Sequence, residues 1–165
     1  MAEFAASILA LGGVAISAIR VAKSLRELSL RIKYAEKDIA RFALDVEVFG
    51  NQVSWASKTL DRRLSNPIQF QAVEELKVHN LMGQMASQSK DTRRRIKGIK
   101  RKINGVKSNY DILTKCKWAI FNKTDIHEIT PQMESLKSSL SLTINVLMLD
   151  ETLLKDQTPE TIQEM

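Results

Sequence analysis

The feature that most constrains this chain is a row of nine apolar residues between positions 32 and 60, spaced alternately by three and four. Its members are Ile32, Ala35, Ile39, Phe42, Val46, Phe49, Val53, Ala56 and Leu60. This spacing places them on one stripe of an α-helix, and a stripe this long is a heptad seam that must pack against other helices. Because proline disfavours a helical conformation in the residue before it, Asn66-Pro67 predicts the end of this helix. We therefore predict a helix over 31–64.

The same periodicity predicts three further helices. They are expected over 2–28, over 70–113, and from 124 or 125 onward after a short element at 115–121 and a loop at 122–124. Seam positions Ser89 and Thr92 are polar, so we expect a kink or break within 86–98. Pro131 is expected in an early turn of the last helix or at its true start. The predicted stripes are Phe4, Ile8, Leu11, Ala15, Ala18, Ala22 and Leu25; Val78, Leu81, Met85, Ile96, Ile99, Ile103, Val106, Tyr110 and Leu113; and Met133, Leu136, Leu140, Ile144 and Leu147.

Four such segments with short connections predict an all-α, up-down four-helix bundle with an apolar N-terminal helix and a long, kinked third helix. The 165 residues include only 6 glycines and 3 prolines, fewer than the turns of a sandwich or barrel would need. We expect one domain over 1–155 and a tail or linker over 156–165. Trp55 and Trp118 are expected to be packing residues, with Trp118 at one end of the bundle.

The sequence contains no constellation of residues that predicts catalysis, a metal site or a cofactor. Cys116 is the only cysteine, which excludes an internal disulfide and favours a reducing compartment. His79 and His127 have no second metal ligand at helical spacing, and Gly12-Gly13 is not followed by the Lys-Ser/Thr of a phosphate loop. We therefore expect a protein that is not an enzyme and that needs no cofactor.

The apolar stretch from Phe4 to Ile19 contains no charged residue. As a helix its 16 residues span roughly 24 Å, short of a hydrocarbon core of about 30 Å. Small residues recur at a spacing of four, which permits close helix packing in lipid. Two interpretations follow: a helix packed as the central strut of the bundle, or a membrane-inserting helix. We expect each to hold in a different state.

A second candidate site is a basic cluster without an acidic residue. It comprises Arg93, Arg94, Arg95, Lys97, Lys100, Arg101, Lys102 and Lys107, in a chain of net charge +6. Anionic lipid is the first-ranked partner, since each nearby cation contributes about 1 kcal/mol. A solvated helix face ranks second. Nucleic acid ranks third, because no aromatic residue interleaves the run to stack on bases.

Two segments of the sequence resemble a known family. They are Met1-Ala-Glu-Phe-Ala-Ala-Ser-Ile-Leu-Ala-Leu and Lys115-Cys-Lys-Trp-Ala-Ile-Phe-Asn-Lys-Thr-Asp-Ile, the second continuing to Leu136-Lys-Ser-Ser-Leu-Ser-Leu. Together they resemble the HeLo-like N-terminal domains of fungal NLR-type (STAND) immune receptors. Ile120 stands where that family usually has leucine. The resemblance covers essentially the whole chain, and its structural motif falls on Lys117, Trp118, Leu136 and Leu140.

This resemblance implies a four-helix bundle related to the executioner domains of mixed-lineage-kinase-like necroptosis proteins and plant coiled-coil receptors. It implies a cytoplasmic domain that, on self-association triggered by an upstream receptor or by its own downstream domains, inserts its first helix into the plasma membrane and kills the cell. The expected insertion residues are Glu3, Phe4, Ile8, Leu11, Gly12, Gly13 and Ile16. Anionic lipid is expected to bind Arg93, Arg94, Arg95, Lys97, Lys100, Arg101 and Lys102.

Some relatives are only signalling or adaptor domains, so a rival prediction stands beside this one. The rival is a non-enzymatic interaction and oligomerisation module that recruits partners through its heptad faces and never enters lipid. Charged substitutions such as Leu11→Glu are expected to distinguish the two.

Overall fold

The chain forms four α-helices in the computed structural model, which describes residues 2–31, 36–65, 72–107 and 112–156, and side chains within 5–31, 37–63, 80–105 and 125–149 together with Ser65. The helices are α1 (Ala2–Ser29), α2 (Glu36–Leu64), α3 (Ala72–Lys107) and α4 (Ile112–Asp156). The described residues contain no strand. The predicted all-α four-helix bundle is therefore confirmed. The predicted tail lies outside the described residues, apart from Asp156, which ends α4.

The predicted seam of α2 is buried along its described length. Its members from Ile39 to Leu60 are each at most 3% exposed, whereas Ile32 and Ala35 lie outside the described residues. The stripes of α1 from Leu11 to Leu25 and of α4 from Met133 to Leu147 are buried in the same core. Because full burial of a large aliphatic side chain contributes about 1.5–3 kcal/mol, these stripes account for the association of the helices.

The helices alternate in direction but do not follow one another around the bundle. α1 packs against α2 and α3, and α4 packs against the same two helices, so α1 and α4 occupy opposite corners. α1 and α3 run parallel, whereas α1–α2 and α3–α4 are antiparallel. The pairs that set these directions are Ser7–Met82 and Gly13–Arg93; Ile8–Ser57 and Arg26–Glu47; and Gln88–Ser135 and Lys102–Asp125. The expectation that α1 is a central strut is wrong, because it lies at a corner with one face turned outward.

α3 is continuous through the segment where we expected a break. Ser89 and Thr92 are 0% and 1% exposed, so the seam passes through both polar positions without leaving the core. Both side chains are small enough to pack there, and Met85 and Ile96 are buried on either side. The described part of α3 reaches Lys107, and Leu113, where we expected this helix to end, belongs to α4. The side chains of Val78, Val106, Tyr110 and Leu113 lie outside the described set.

α4 is one helix from Ile112 to Asp156, so the expected short element and the loop at 122–124 are wrong. Pro131 lies inside this helix, where it removes one backbone hydrogen bond and crowds the preceding turn. The residue itself is exposed, and Ile129 and Met133 on either side of it are buried. Burial of these flanking residues therefore keeps the chain helical across a locally unfavourable position.

α1 and α2 approach each other closely at Gly50. A Cβ atom at this position would lie 3.0 Å from Cγ1 of Ile19, 3.1 Å from Cβ of Ala18 and 3.3 Å from the carbonyl oxygen of Ala15. Glycine lowers helix stability by roughly 0.5–1 kcal/mol relative to alanine. At Gly50 the missing side chain leaves the space that lets the two backbones come together.

We expect Gly50→Ala to lower the free energy of unfolding by about 1 kcal/mol, because Ala18 and the backbone of Ala15 cannot rotate away from the added methyl group. The matched control is Gly83→Ala on α3, where an added Cβ meets nothing within 4 Å. This control should gain about 0.5–1 kcal/mol from helix propensity alone. Urea denaturation measures both, and equal stabilisation by the two substitutions would contradict the close approach.

Candidate functional site

α1 is long and apolar enough to cross a membrane, the one such helix among the residues described here. The qualifying segment, Ala5–Ser29, has 25 residues and would span about 38 Å, more than a hydrocarbon core of about 30 Å. The helix continues past Arg20, so its length exceeds that of the uncharged stretch. Core helices of soluble proteins and N-terminal signal sequences pass the same test, and 39% of the apolar window of α1 is buried in the bundle.

α1 has an outward apolar face opposite its core face. The outward face carries Leu9, Ile16 and Ile19, which are 75%, 54% and 40% exposed. Of the predicted insertion residues, Ile16 lies on this face, and Gly12 has open space at its Cβ position. Leu11 is fully buried, and Ile8 is half-buried against the core.

The predicted membrane-insertion residues therefore come from both faces of α1. Leu11, which was included, belongs to the core. Leu9 and Ile19 were not included, although their positions off the predicted seam indicate the exposed side of the helix. The side chains of Glu3 and Phe4 lie outside the described residues.

The basic cluster of α3 is divided between two sides of the helix. Arg95 and Lys102 lie next to α4, where Arg95 pairs with Glu128 and Nζ of Lys102 lies 2.6 Å from a carboxylate oxygen of Asp125. Such solvent-exposed pairs contribute about 0–1 kcal/mol each. These two cations belong to the α3–α4 contact, and their charge is partly neutralised there. Lipid binding by this cluster stays a prediction, and the two ion pairs place Arg95 and Lys102 on the side of α3 that meets α4.

The other cations of α3 are less compensated. Within the described part of the chain, Arg93, Lys97, Lys100 and Arg101 have no ion pair, and Arg94 lies 3.6 Å from Asp91 in an exposed contact. The side chain of Lys107 is not among those described.

Lys90 joins this side of the helix, although the sequence-based cluster omitted it. Asp91 and Thr92 separate Lys90 from the basic run. The helical spacing of 90, 93, 94 and 97 is the signal that would have found it.

α1 and α3 enclose a cleft of about 420 Å³ between the two predicted sites. We call it the α1–α3 cleft, and it is lined by Ala10, Ala86, Ser89, Lys90, Arg93, Arg94 and Lys97. The guanidinium group of Arg93 lies over Gly13, where an added Cβ would be 3.0 Å from both Cζ and a terminal nitrogen of that arginine. The structure thus brings the apolar helix and part of the basic cluster into direct contact.

Of the two tryptophans, the structure describes the side chain of Trp55 but not that of Trp118. Trp55 is 63% exposed on α2, so its prediction as a packing residue is wrong. Its position lies opposite the buried seam members Val53 and Ala56. Of the structural motif, Leu136 and Leu140 are buried in the core, whereas the side chains of Lys117 and Trp118 lie outside the described residues.

No group of three or more His, Cys, Asp or Glu side chains that could hold a metal ion occurs within the described part of the chain. His127 is exposed. The side chains of Cys116 and His79 are outside that part.

Comparisons with protein-family models, with curated proteins and with solved structures found no match. The resemblance to HeLo-like domains therefore rests on the quoted sequence segments and stays a prediction.

The two faces of α1 predict opposite results for the same substitution. Leu11→Glu would bury a carboxylate at a fully enclosed position, so we expect loss of cooperative unfolding. Ile16→Glu places the charge in solvent, so the free energy of unfolding should stay within about 0.5 kcal/mol of wild type. Thermal unfolding followed by circular dichroism measures both. Tolerance of Leu11→Glu would contradict the docked position of α1.

Proposed function

We propose that this protein is a membrane-targeting domain of the HeLo-like kind that executes or signals cell death by inserting α1 into the plasma membrane after self-association. The observation that carries the proposal is the outward apolar face of α1, which lies next to cations of α3 that form no ion pair among the described residues. Leu9 and Ile16 are more than half exposed on that face. Arg93 contacts the same helix at Gly13. Apolar and cationic groups side by side are what an anionic bilayer surface binds.

Release of α1 from the bundle costs free energy, because it exposes the core face of the helix. Its core face buries Leu11, Val14, Val21, Leu25 and Leu28, which together contribute roughly 8–15 kcal/mol. That is comparable to the total stability of a typical domain, about 5–15 kcal/mol. α1 therefore stays docked in a soluble monomer. Insertion becomes favourable when lipid and neighbouring copies cover the same apolar surface.

The cations supply the first attraction to the membrane. Arg93, Lys97, Lys100 and Arg101 have no ion pair among the described residues. Four such charges contribute about 4 kcal/mol against an anionic leaflet, which is weak and reversible binding. This binding would hold the domain at the bilayer while α1 remains docked.

A separate observation favours a second candidate function, the interaction module. Leu44, Val48 and Trp55 are 52%, 45% and 63% exposed and lie on one outward stripe of α2. Spacings of four and seven place them in line on the helix surface. Membrane insertion of α1 does not use this stripe, which would suit a protein partner or a second copy of the chain.

Leakage of dye from vesicles of phosphatidylcholine and phosphatidylserine tests the two functions. We expect leakage by the wild-type protein to fall at least about tenfold in Leu9→Glu/Ile16→Glu, because a charge in the hydrocarbon core costs about 3 kcal/mol. The matched control, Leu142→Glu/Leu149→Glu, adds the same charges at exposed positions of α4 and should leak like wild type. Point substitutions are preferable to a deletion of residues 1–19, because the deletion would also remove Leu11 and Val14 from the core.

A third variant, Val48→Glu/Trp55→Glu, carries the charges on the stripe of α2. Equal leakage by the α1 variant and the α4 control, or no leakage by wild type, would contradict insertion of α1. Loss of self-association in sedimentation by the α2 variant, together with either of those results, would establish the interaction module in its place.

A further inference from the structure

We propose that the α1–α3 cleft is a binding site for a phosphomonoester group, carried by a soluble metabolite or by a lipid headgroup. The inference deepens the proposed function and rests on it for its biological use, since it assigns a ligand class to one side of the basic surface. A cleft of about 420 Å³ lies within the 300–1,000 Å³ range of small-molecule sites. The site is narrower than the predicted cluster: it includes Lys90 and excludes Arg95 and Lys102.

The charge of the cleft is of one sign. Lys90, Arg93, Arg94 and Lys97 line it, and no carboxylate among the described residues does. Asp91 contacts Arg94 at 3.6 Å, but both side chains are more than half exposed and Asp91 is not part of the lining. Four cations on adjacent turns of one helix, facing a wall of small residues, create a local positive potential. An anion in the cleft would relieve their mutual repulsion.

Ser89 provides an independent indication of a polar ligand. It lines the cleft and is fully buried, and its Oγ atom has no hydrogen-bond partner among the described residues. Ser17 and Thr143, which are buried or partly buried, each donate to the carbonyl oxygen four residues earlier. A buried hydroxyl without a partner costs about 1–3 kcal/mol. A ligand oxygen seated against this wall of the cleft would give the hydroxyl of Ser89 a partner.

The donor set fits a phosphomonoester better than a diester or a carboxylate. A phosphomonoester carries a charge of about −1.5 to −2 at neutral pH and three terminal oxygens that accept hydrogen bonds. Two guanidinium groups offer paired N–H donors that match such oxygens, and the two ammonium groups add charge. A diester presents one negative charge on two terminal oxygens, so it would leave part of this donor set unused.

α1 forms part of the site. Ala10 lines the cleft, and Gly13 lies beneath the guanidinium group of Arg93, so α1 forms the wall against which the donors of α3 lie. A ligand that binds the docked arrangement stabilises it by mass action. Occupancy of the cleft therefore opposes the release of α1.

Calorimetric titration of the full chain with glycerol 3-phosphate tests the site without a membrane. We expect Arg93→Gln/Lys97→Gln to weaken binding at least about tenfold, as loss of two charge-assisted contacts requires. The matched control is Lys58→Gln/Arg62→Gln, which removes the same charge from exposed positions of α2 and should bind within about twofold of wild type. Ser89→Ala should weaken binding while leaving the domain at least as stable, because its hydroxyl is unpartnered in the free protein.

A second arm distinguishes the sources of the phosphate. Vesicles containing phosphatidic acid, a phosphomonoester, are compared with phosphatidylglycerol vesicles of equal surface charge. Cleft-dependent binding of glycerol 3-phosphate assigns a soluble ligand, and cleft-dependent binding of phosphatidic acid vesicles alone assigns a headgroup. Equal losses of binding in the two double-glutamine variants would overturn the site, and so would no binding of either glycerol 3-phosphate or phosphatidic acid vesicles. Where only vesicles bind, equal binding to phosphatidic acid and phosphatidylglycerol would overturn it as well. These results do not depend on leakage, so the site and membrane insertion fail separately.

Discussion

The close contact between α1 and α2 at Gly50 is the constraint on which the rest of the structure depends. Ala15, Ala18 and Ile19 of α1 meet a glycine of α2, whose missing side chain lets the two backbones approach closely. This contact fixes which face of α1 points into the core. The opposite face, with Leu9 and Ile16, is thereby left at the surface. α1 is thus held firmly while still presenting an apolar stripe to its surroundings.

Docking of α1 also determines the electrostatics of its neighbour. On the side of α3 that meets α4, Arg95 and Lys102 find carboxylates. On the side that meets α1, the facing helix offers alanine and glycine, and the one carboxylate contact among the described residues is that of Arg94 with Asp91 at 3.6 Å. The same small residues that allow close packing therefore provide no carboxylate to the cations of the α1–α3 cleft. Apolar exposure and positive charge arise together at one edge of the bundle.

Sequence periodicity predicted which residues enter the core, because spacing by three and four sets a residue's direction on the helix whatever its partner is. The seam from Ile39 to Leu60 shows this. Local signals misled at Pro131, where burial of Ile129 and Met133 outweighs the cost of a proline within α4. The sequence could not predict which helices are neighbours in the bundle, because periodicity defines the buried face of a helix but not the helix that packs against it. For the same reason the basic run could not be divided without knowing that Asp125 and Glu128 lie beside it.

A disulfide that locks α1 to the bundle tests whether α1 must leave the bundle for vesicles to leak. Cβ of Ala18 lies 3.1 Å from where a Cβ of Gly50 would be, close to the spacing of a disulfide, about 3.5–4.5 Å. In a Cys116→Ser background, Ala18→Cys/Gly50→Cys would link α1 to α2 when oxidised. We expect the oxidised protein to bind anionic vesicles without releasing dye, and reduction to restore leakage in the same sample. Equal leakage by the oxidised, fully helical protein would contradict insertion of α1.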